Sequence, residues 1–158
     1  MKMCTLILLL PLALIAQPMD GDRAIHLKGI NYIYMNVDTS LSSEISTSER
    51  MDISDIVELQ LRRANIILRP YVVNAPRGNV PLLELTIKDL QARGGDSHEL
   101  ILRVHDYVTI DRNKERTIAT IFEMSRTTTP ASGDTASLKA KLRELMGDFV
   151  DAFKKQNP

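Results

Sequence analysis

Cysteine occurs once in 158 residues, aromatic residues make up 4%, and 20 basic side chains are cancelled by 20 acidic ones. Each shortage excludes something. A cancelled charge removes the simplest nucleic-acid reading, because phosphate binding needs a basic excess or a basic stripe. One cysteine cannot make a disulfide framework. No Asn-x-Ser/Thr triplet occurs, so nothing calls for N-glycosylation. Gly-x-Ser-x-Gly, Gly-x-Gly-x-x-Gly and P-loop sequences are absent, as is a His-x-x-x-His helix pair. No cofactor, no resident metal and no assembled catalytic set is therefore expected. No apolar run reaches the roughly 20 residues of a membrane-spanning helix.

What is present begins with Lys2 and the apolar run Cys4–Ile15. A short positive region followed by such a run fits a signal peptide over residues 1–16, cut after Ala16. Its removal takes away only Lys2 and leaves 19 basic against 20 acidic groups. Cys4 stands at the start of the run, not at its end where a lipid-anchoring cysteine belongs. The expected product is exported to the periplasm or the extracellular space and soluble after cleavage. Residues 17–26 read as a flexible leader and residues 27–158 as one domain. A chain of this size buries about 70% of its unfolded surface.

Periodicity gives the elements. Residues 27–37 predict a first strand, apolar on both faces through Ile30, Tyr32 and Tyr34 and through Ile33, Met35 and Val37. Ile53, Ile56, Val57, Leu61 and Ala64 give one helical stripe over 52–64, capped by Asp52 or Ser48 and closed by Asn65. A short strand over 66–68 stops at Pro70. Residues 71–81, with Pro76, Gly78, Asn79 and Pro81, read as a loop. Strands follow at 82–90, 99–110 and 116–124, joined by turns at 93–96 and 111–114. Asp106 interrupts the inward pattern of the fourth strand and marks a bulge or a register change. In the fifth, Ile118, Thr120 and Phe122 are expected on one face. Leu138, Leu142, Leu145, Met146, Phe149, Val150 and Phe153 make the last helix, over 135–154. The fold class is α+β: a mixed sheet of about five strands in the order β-α-β-β-β-β-α, with two main helices. The first two strands should be parallel and the last three antiparallel.

Candidate functional residues are sparse. Arg62, Arg63, Arg69 and Arg77 gather around the second strand and form a candidate partner surface. Met146 and Phe149 on the last helix are candidates for a ligand pocket against the sheet. His98 and His105, with Asp96, Glu99 and Asp106 nearby, allow a hypothetical metal or hydrolase site, although an offset of seven points the two rings to opposite faces.

The stretch Asp55-Ile56-Val57-Glu58-Leu59-Gln60-Leu61-Arg62-Arg63-Ala64-Asn65-Ile66, the Asp111-Arg112-Asn113 turn and the end Asp148-Phe149-Val150-Asp151-Ala152-Phe153 with Asn157-Pro158 carry a resemblance. The chain resembles small exported bacterial proteins of unassigned function, built from a strand, an amphipathic helix, a three-strand meander and a C-terminal helix. Those usually have Gly where Asn65 stands. The resemblance implies fold and export and brings no catalytic residues. The leading expectation is an exported non-enzymatic accessory domain of the bacterial envelope that binds another envelope protein, with the second strand as the edge. A small-molecule or lipid-binding protein is the alternative, and a hydrolase the third.

Overall fold

The computed structural model describes residues 23–75, 78–92, 95–128 and 135–158. The expected signal peptide, residues 17–22 of the expected leader, Arg77, residues 93–94 of the first turn and the Asp96 side chain lie outside the described residues. A five-stranded mixed sheet carries two helices. Its strands are β1 (Tyr32–Leu41), β2 (Ile67–Arg69), β3 (Leu82–Ala92), β4 (Gly95–Thr109) and β5 (Arg116–Thr127), in the spatial order β2-β1-β3-β4-β5. β2 and β3 both run parallel to β1, and β3, β4 and β5 form an antiparallel meander. The fold class and element order match the sequence reading.

Helices α1 (Thr47–Arg63) and α2 (Thr135–Gln156) supply Ile53, Val57 and Leu61, and Leu138, Leu142, Leu145, Met146, Phe149 and Phe153, to one core. Across from them stand Ile33 and Val37 of β1, Leu83, Leu85 and Ile87 of β3, Leu100, Leu102 and Val104 of β4, and Phe122 and Met124 of β5. Each of these four strands thus contributes alternate residues, as a period of two requires. Both helices occupy that one face, and Tyr32, Tyr34 and Glu84 point to the other.

The first strand runs over Tyr32–Leu41 rather than 27–37 and the fourth starts at Gly95 rather than at 99. Three further features differ from the sequence reading, each for a local reason. Residues 23–26, read as leader, form a 3-10 helix with Leu27. Ala24, Leu27 and Ile30 are buried and three apart, which is the 3-10 repeat. Asn157 fastens this segment, accepting from the Gly29 amide at 2.8 Å and donating to the Leu27 carbonyl at 2.9 Å. Helix α1 begins one and a half turns early because Ser46, not Asp52 or Ser48, is its cap. Ser46 Oγ accepts from the Glu49 amide, and the Glu49 carboxylate accepts from the Ser46 amide. At the other end Asn65 adopts φ 61°, as its position predicted, and the Ile66 and Asn65 amides donate to the Leu61 and Arg62 carbonyls.

The third difference is in β5. Val104 pairs with Phe122 but His105 pairs with Thr120, so Ile121 is an extra residue. That bulge changes the phase of the strand. Ile118 and Thr120 therefore face away from the core while Phe122 faces into it, not all three on one side as the alternation suggested. The bulge lies one residue from the Asp106 position expected to mark it, and on the partner strand.

The two helices start side by side. Thr135 Oγ1 donates to Glu49 Oε1 at 2.6 Å, and Lys139 Nζ lies 2.7 Å from Asp52 Oδ2. The Thr135 bond first, then those from Ser46, hold the Glu49 carboxyl down from its ordinary 4.5 to about 2. A carboxyl depressed by folding stabilises above its unfolded value and loses that contribution as pH falls toward the folded one. The difference in melting temperature between the native chain and Glu49→Gln should therefore be largest above pH 5. It should shrink as pH falls from about 4.5 toward 2. Thr135→Val should flatten the profile, and an unchanged profile in that variant would separate Glu49 from α2.

Candidate functional site

The topology places the 70–81 connection on the face that the helices leave bare. A right-handed β1-α1-β2 crossover puts α1 on one face. The chain then returns from β2 past β1 to β3, in the opposite direction across the sheet. The same handedness sends this second crossover over the other face. Gly78 confirms the route: its φ is 70°, and a Cβ there would stand 3.2 Å from Ile118 Cδ1 on the bare side of β5. Glycine suits the positive φ, and a Cβ would oblige the exposed tip of Ile118 to give by a few tenths of an ångström.

Asn79 ties the outward limb of this loop to its return. Asn79 is buried, accepts from the Val72 amide at 3.0 Å and donates to the Val72 carbonyl at 2.7 Å. Its amide group imitates a neighbouring strand. The held segment presents Tyr71, Val72 and Val73 at 45%, 54% and 75% exposure. Ile67 on β2 adds a fourth exposed apolar residue at 62%. β2 is an edge strand of three residues, as Pro70 and its shortness predicted.

Of the four arginines read as a partner surface, three lie at this edge. Arg69 stacks its guanidinium 3.8 Å above the Tyr32 ring, which meets Tyr34 edge-on at 5.8 Å. Arg62 pairs with Glu58 at 2.7 Å, one turn back on α1. Arg63 is exposed beside it. Arg77 lies outside the described residues. Sequence reasoning missed Ile67 and the Tyr71–Val73 segment. The signal was three apolar residues inside a stretch bounded by Pro70 and Pro76, where a solvated loop has no use for them.

Met146 and Phe149 have 0% exposure and belong to the core. Phe149 lies 5.9 Å from Phe122 and 6.0 Å from Phe153, ring centre to ring centre. The side of α2 they occupy is filled by protein, which weighs against a ligand there. A cleft of about 460 Å³ does open beside β5, next to the 3-10 helix, with His26 and Glu123 at its wall.

The structure separates the two histidines read together. His105 lies on the bare face, with Nδ1 3.1 Å from Thr120 Oγ1 and Nε2 3.3 Å from Glu84 Oε2. Hydrolases use such a hydroxyl–imidazole–carboxylate line. Here His105 and Thr120 are a cross-strand pair and Thr120 is exposed, so strand pairing accounts for it. Glu99 is engaged by Lys88 at 2.6 Å, and Asp106 accepts from the Tyr107 amide. Neither joins a histidine.

His98 faces the opposite way, at the end of the sheet where α1 and α2 begin. It pairs directly with Asp89 across β3 and β4, Nδ1 to Oδ1 3.0 Å. Its Nε2 lies 3.6 Å from Glu44 Oε2 in the β1–α1 loop. Asp89 Oδ2 accepts from the Ser43 amide at 2.8 Å and its hydroxyl at 3.2 Å. Burial alone would raise the Asp89 carboxyl. The hydroxyls of Ser42 and Ser43, the Ser43 amide and His98 outweigh it and hold the group below its ordinary value.

No family model matches the chain, and no curated protein matches it. Among solved structures, the chain is similar to the hypothetical protein CT253 from Chlamydia trachomatis, at a TM-score of 0.45 and 11% identity, over 78% of this chain and 97% of that one. It is also similar to a minor lipoprotein from Acinetobacter baumannii, at a TM-score of 0.37 and 10% identity, over 82% and 95%. At these scores neither likeness bears on function. No helix among the described residues is long and apolar enough to cross a membrane.

Proposed function

We propose that this is an exported, non-enzymatic accessory domain that grips another envelope protein at the β2 edge. The observation that carries the reading is the apolar set of Ile67, Tyr71, Val72 and Val73 around a three-residue edge strand. Singly exposed apolar residues are ordinary, but a set gathered at one edge marks an interaction surface. The partner that fits is an extended segment, adding its main chain to β2 and laying apolar side chains on the loop. Acidic residues in that segment would meet the rim formed by Arg62, Arg63 and Arg69.

The test is site-specific photocrosslinking in the host, from the full chain, with the reactive group at position 67, 73 or 143. Arg143 is exposed on the far side of α2 and serves as control. One discrete adduct from 67 and 73, absent from 143, is the expected result. Val72→Asp should remove it. Reversing charge at Arg62, Arg63 and Arg69 together should reduce it several-fold, most at low ionic strength. Equal labelling from all three positions would overturn the edge, and unchanged capture after charge reversal would remove the basic rim from the reading.

A further inference from the structure

We propose that His98 is a proton-operated latch: when charged, its ring ties Glu44 of the β1–α1 loop to Asp89 of β3, and when neutral it lets Glu44 go. The use of both ring nitrogens carries this. Nδ1 meets Asp89 Oδ1 at 3.0 Å, and Nε2 stands 3.6 Å from Glu44 Oε2, an ion-pair separation. A carboxylate only accepts, and a neutral imidazole has one N–H and one lone pair. A ring set between two carboxylates therefore suits both only as imidazolium, with a proton on each nitrogen.

The two arms are unequal, and this gives the switch its direction. The Asp89 arm is the shorter and is built into the sheet, because His98 and Asp89 face each other across β3 and β4. Burial works against a charge on Asp89, but the Ser42 hydroxyl and the Ser43 amide beside it outweigh that and keep it a carboxylate. A ring with one proton therefore keeps it on Nδ1, toward Asp89, and turns the Nε2 lone pair toward Glu44. Two acceptors then face each other. His98 is half-buried and Glu44 is exposed, so Glu44 is the side chain that moves away into water.

The charged groups on the surrounding elements are engaged elsewhere. Glu49 of α1 accepts from Ser46 and Thr135, and Asp52 pairs with Lys139 of α2. Arg126 of β5 pairs with Asp148, and Lys88 with Glu99 on the opposite face of the sheet. From the end of β5 it is Thr128 that meets His98. Its hydroxyl accepts from the His98 amide at 2.8 Å, and its amide donates to the His98 carbonyl at 2.9 Å. The strand under the ring is thus fixed while the loop is not. Glu44 lies two residues before Ser46, the cap of α1, so its release reaches the start of that helix. The latch stabilises the fold while the ring is charged, and that contribution is lost as pH rises through the ring's own titration. It sits at the end of the sheet away from the β2 edge and is independent of the partner surface proposed above.

The experiment is an NMR titration of the nitrogen-labelled full chain, from about pH 5 upward until the His98 ring loses a proton. It follows the ring nitrogens and the backbone amides of residues 43–46. At the acid end both nitrogens of His98 should carry a proton. On the way up Nε2 should lose its proton while Nδ1 keeps its own, and the Glu44 and Ile45 amides should move with the same midpoint. His98→Gln should abolish that transition in the loop amides, and His105→Gln should leave it as in the native chain. A second measurement needs only the exposed Glu44→Gln, which leaves the Ser43 bonds to Asp89 in place. The melting temperature of the native chain should exceed that of Glu44→Gln at the acid end, and the difference should vanish once the ring is neutral. A singly protonated ring at the acid end overturns the latch. So do loop amides that titrate unchanged in His98→Gln, or a Glu44→Gln difference that stays flat with pH.

Discussion

Phe149→Ala should cost about 3–5 kcal/mol, a large share of the roughly 5–15 kcal/mol that holds a domain of this size together. The chain has three phenylalanines and no tryptophan. All three phenylalanines meet in one cluster, with Phe149 of α2 between Phe122 of β5 and Phe153. Phe149 is fully buried, so its truncation loses the transfer energy of the ring and leaves a cavity that leucine and methionine neighbours cannot close. The urea midpoint should fall with the slope unchanged. Met146→Leu, which nearly conserves volume, should cost less than about 1.5 kcal/mol. The same pair of variants decides the ligand-pocket reading of these residues. A loss below about 1 kcal/mol at Phe149 would mean that its ring lines space rather than fills it.

The elements that sequence reading found best are those whose pattern is long compared with its period. The α2 stripe from Leu138 to Phe153 runs over four turns, and β3 alternates cleanly from Leu83 to Ile87. Both faces were assigned correctly from spacing alone. The 3-10 helix was missed because five residues hold under two of its turns, so no period can show. The start of α1 was missed although its signature, Ser46 followed by Glu49, was present. It sat within the Ser- and Thr-rich stretch from 38 to 48, where loop chemistry and cap chemistry use the same side chains. The fifth strand was misassigned because a bulge belongs to a pair of strands, not to one. Nothing within residues 116–124 announces that Ile121 has no partner opposite it.

The functional surfaces were legible in proportion to how local they are. Pro70 and the brevity of β2 sufficed to name the edge. The pairing of His98 with Asp89 depended on the hairpin register, which the Arg93–Asp96 turn set two residues differently. With Ala92 opposite Gly95, residues 89 and 98 face each other; a turn moved by one residue would have put Leu100 there instead. Glu44 was out of reach altogether, because its approach to His98 follows from Ser43 bonding to Asp89, a contact 46 residues long in sequence. The crossing of the 70–81 loop over the bare face was derivable. It needs only that β1 lie between β2 and β3, and the handedness rule then leaves one face open to it.

That crossing makes Asn79→Ala the variant with the largest effect on the proposed surface. Asn79 joins the two limbs of the loop through Val72, donating and accepting once each. At about 0.5–1.5 kcal/mol for each net hydrogen bond, and with part of the Val72 backbone left to find water, the expected cost is about 1–3 kcal/mol. The loss should be local before it is global. Phe149→Ala lowers the stability of the whole core, whereas Asn79→Ala releases a segment already half in solvent. Hydrogen exchange distinguishes them: the Val72 amide should lose protection in Asn79→Ala while amides of β3 and β4 keep theirs. Crosslinking from position 73 should then weaken more than from position 67, because β2 remains paired to β1 when the loop is freed. Asn79→Asp keeps the acceptor for the Val72 amide but turns a carboxylate toward the Val72 carbonyl, so it should not restore capture. If exchange at Val72 is unaltered in Asn79→Ala, the loop is held by something else. The exposed Tyr71–Val73 segment would then owe its position to the contact of Gly78 with Ile118, and Gly78→Ala would become the variant that disperses it.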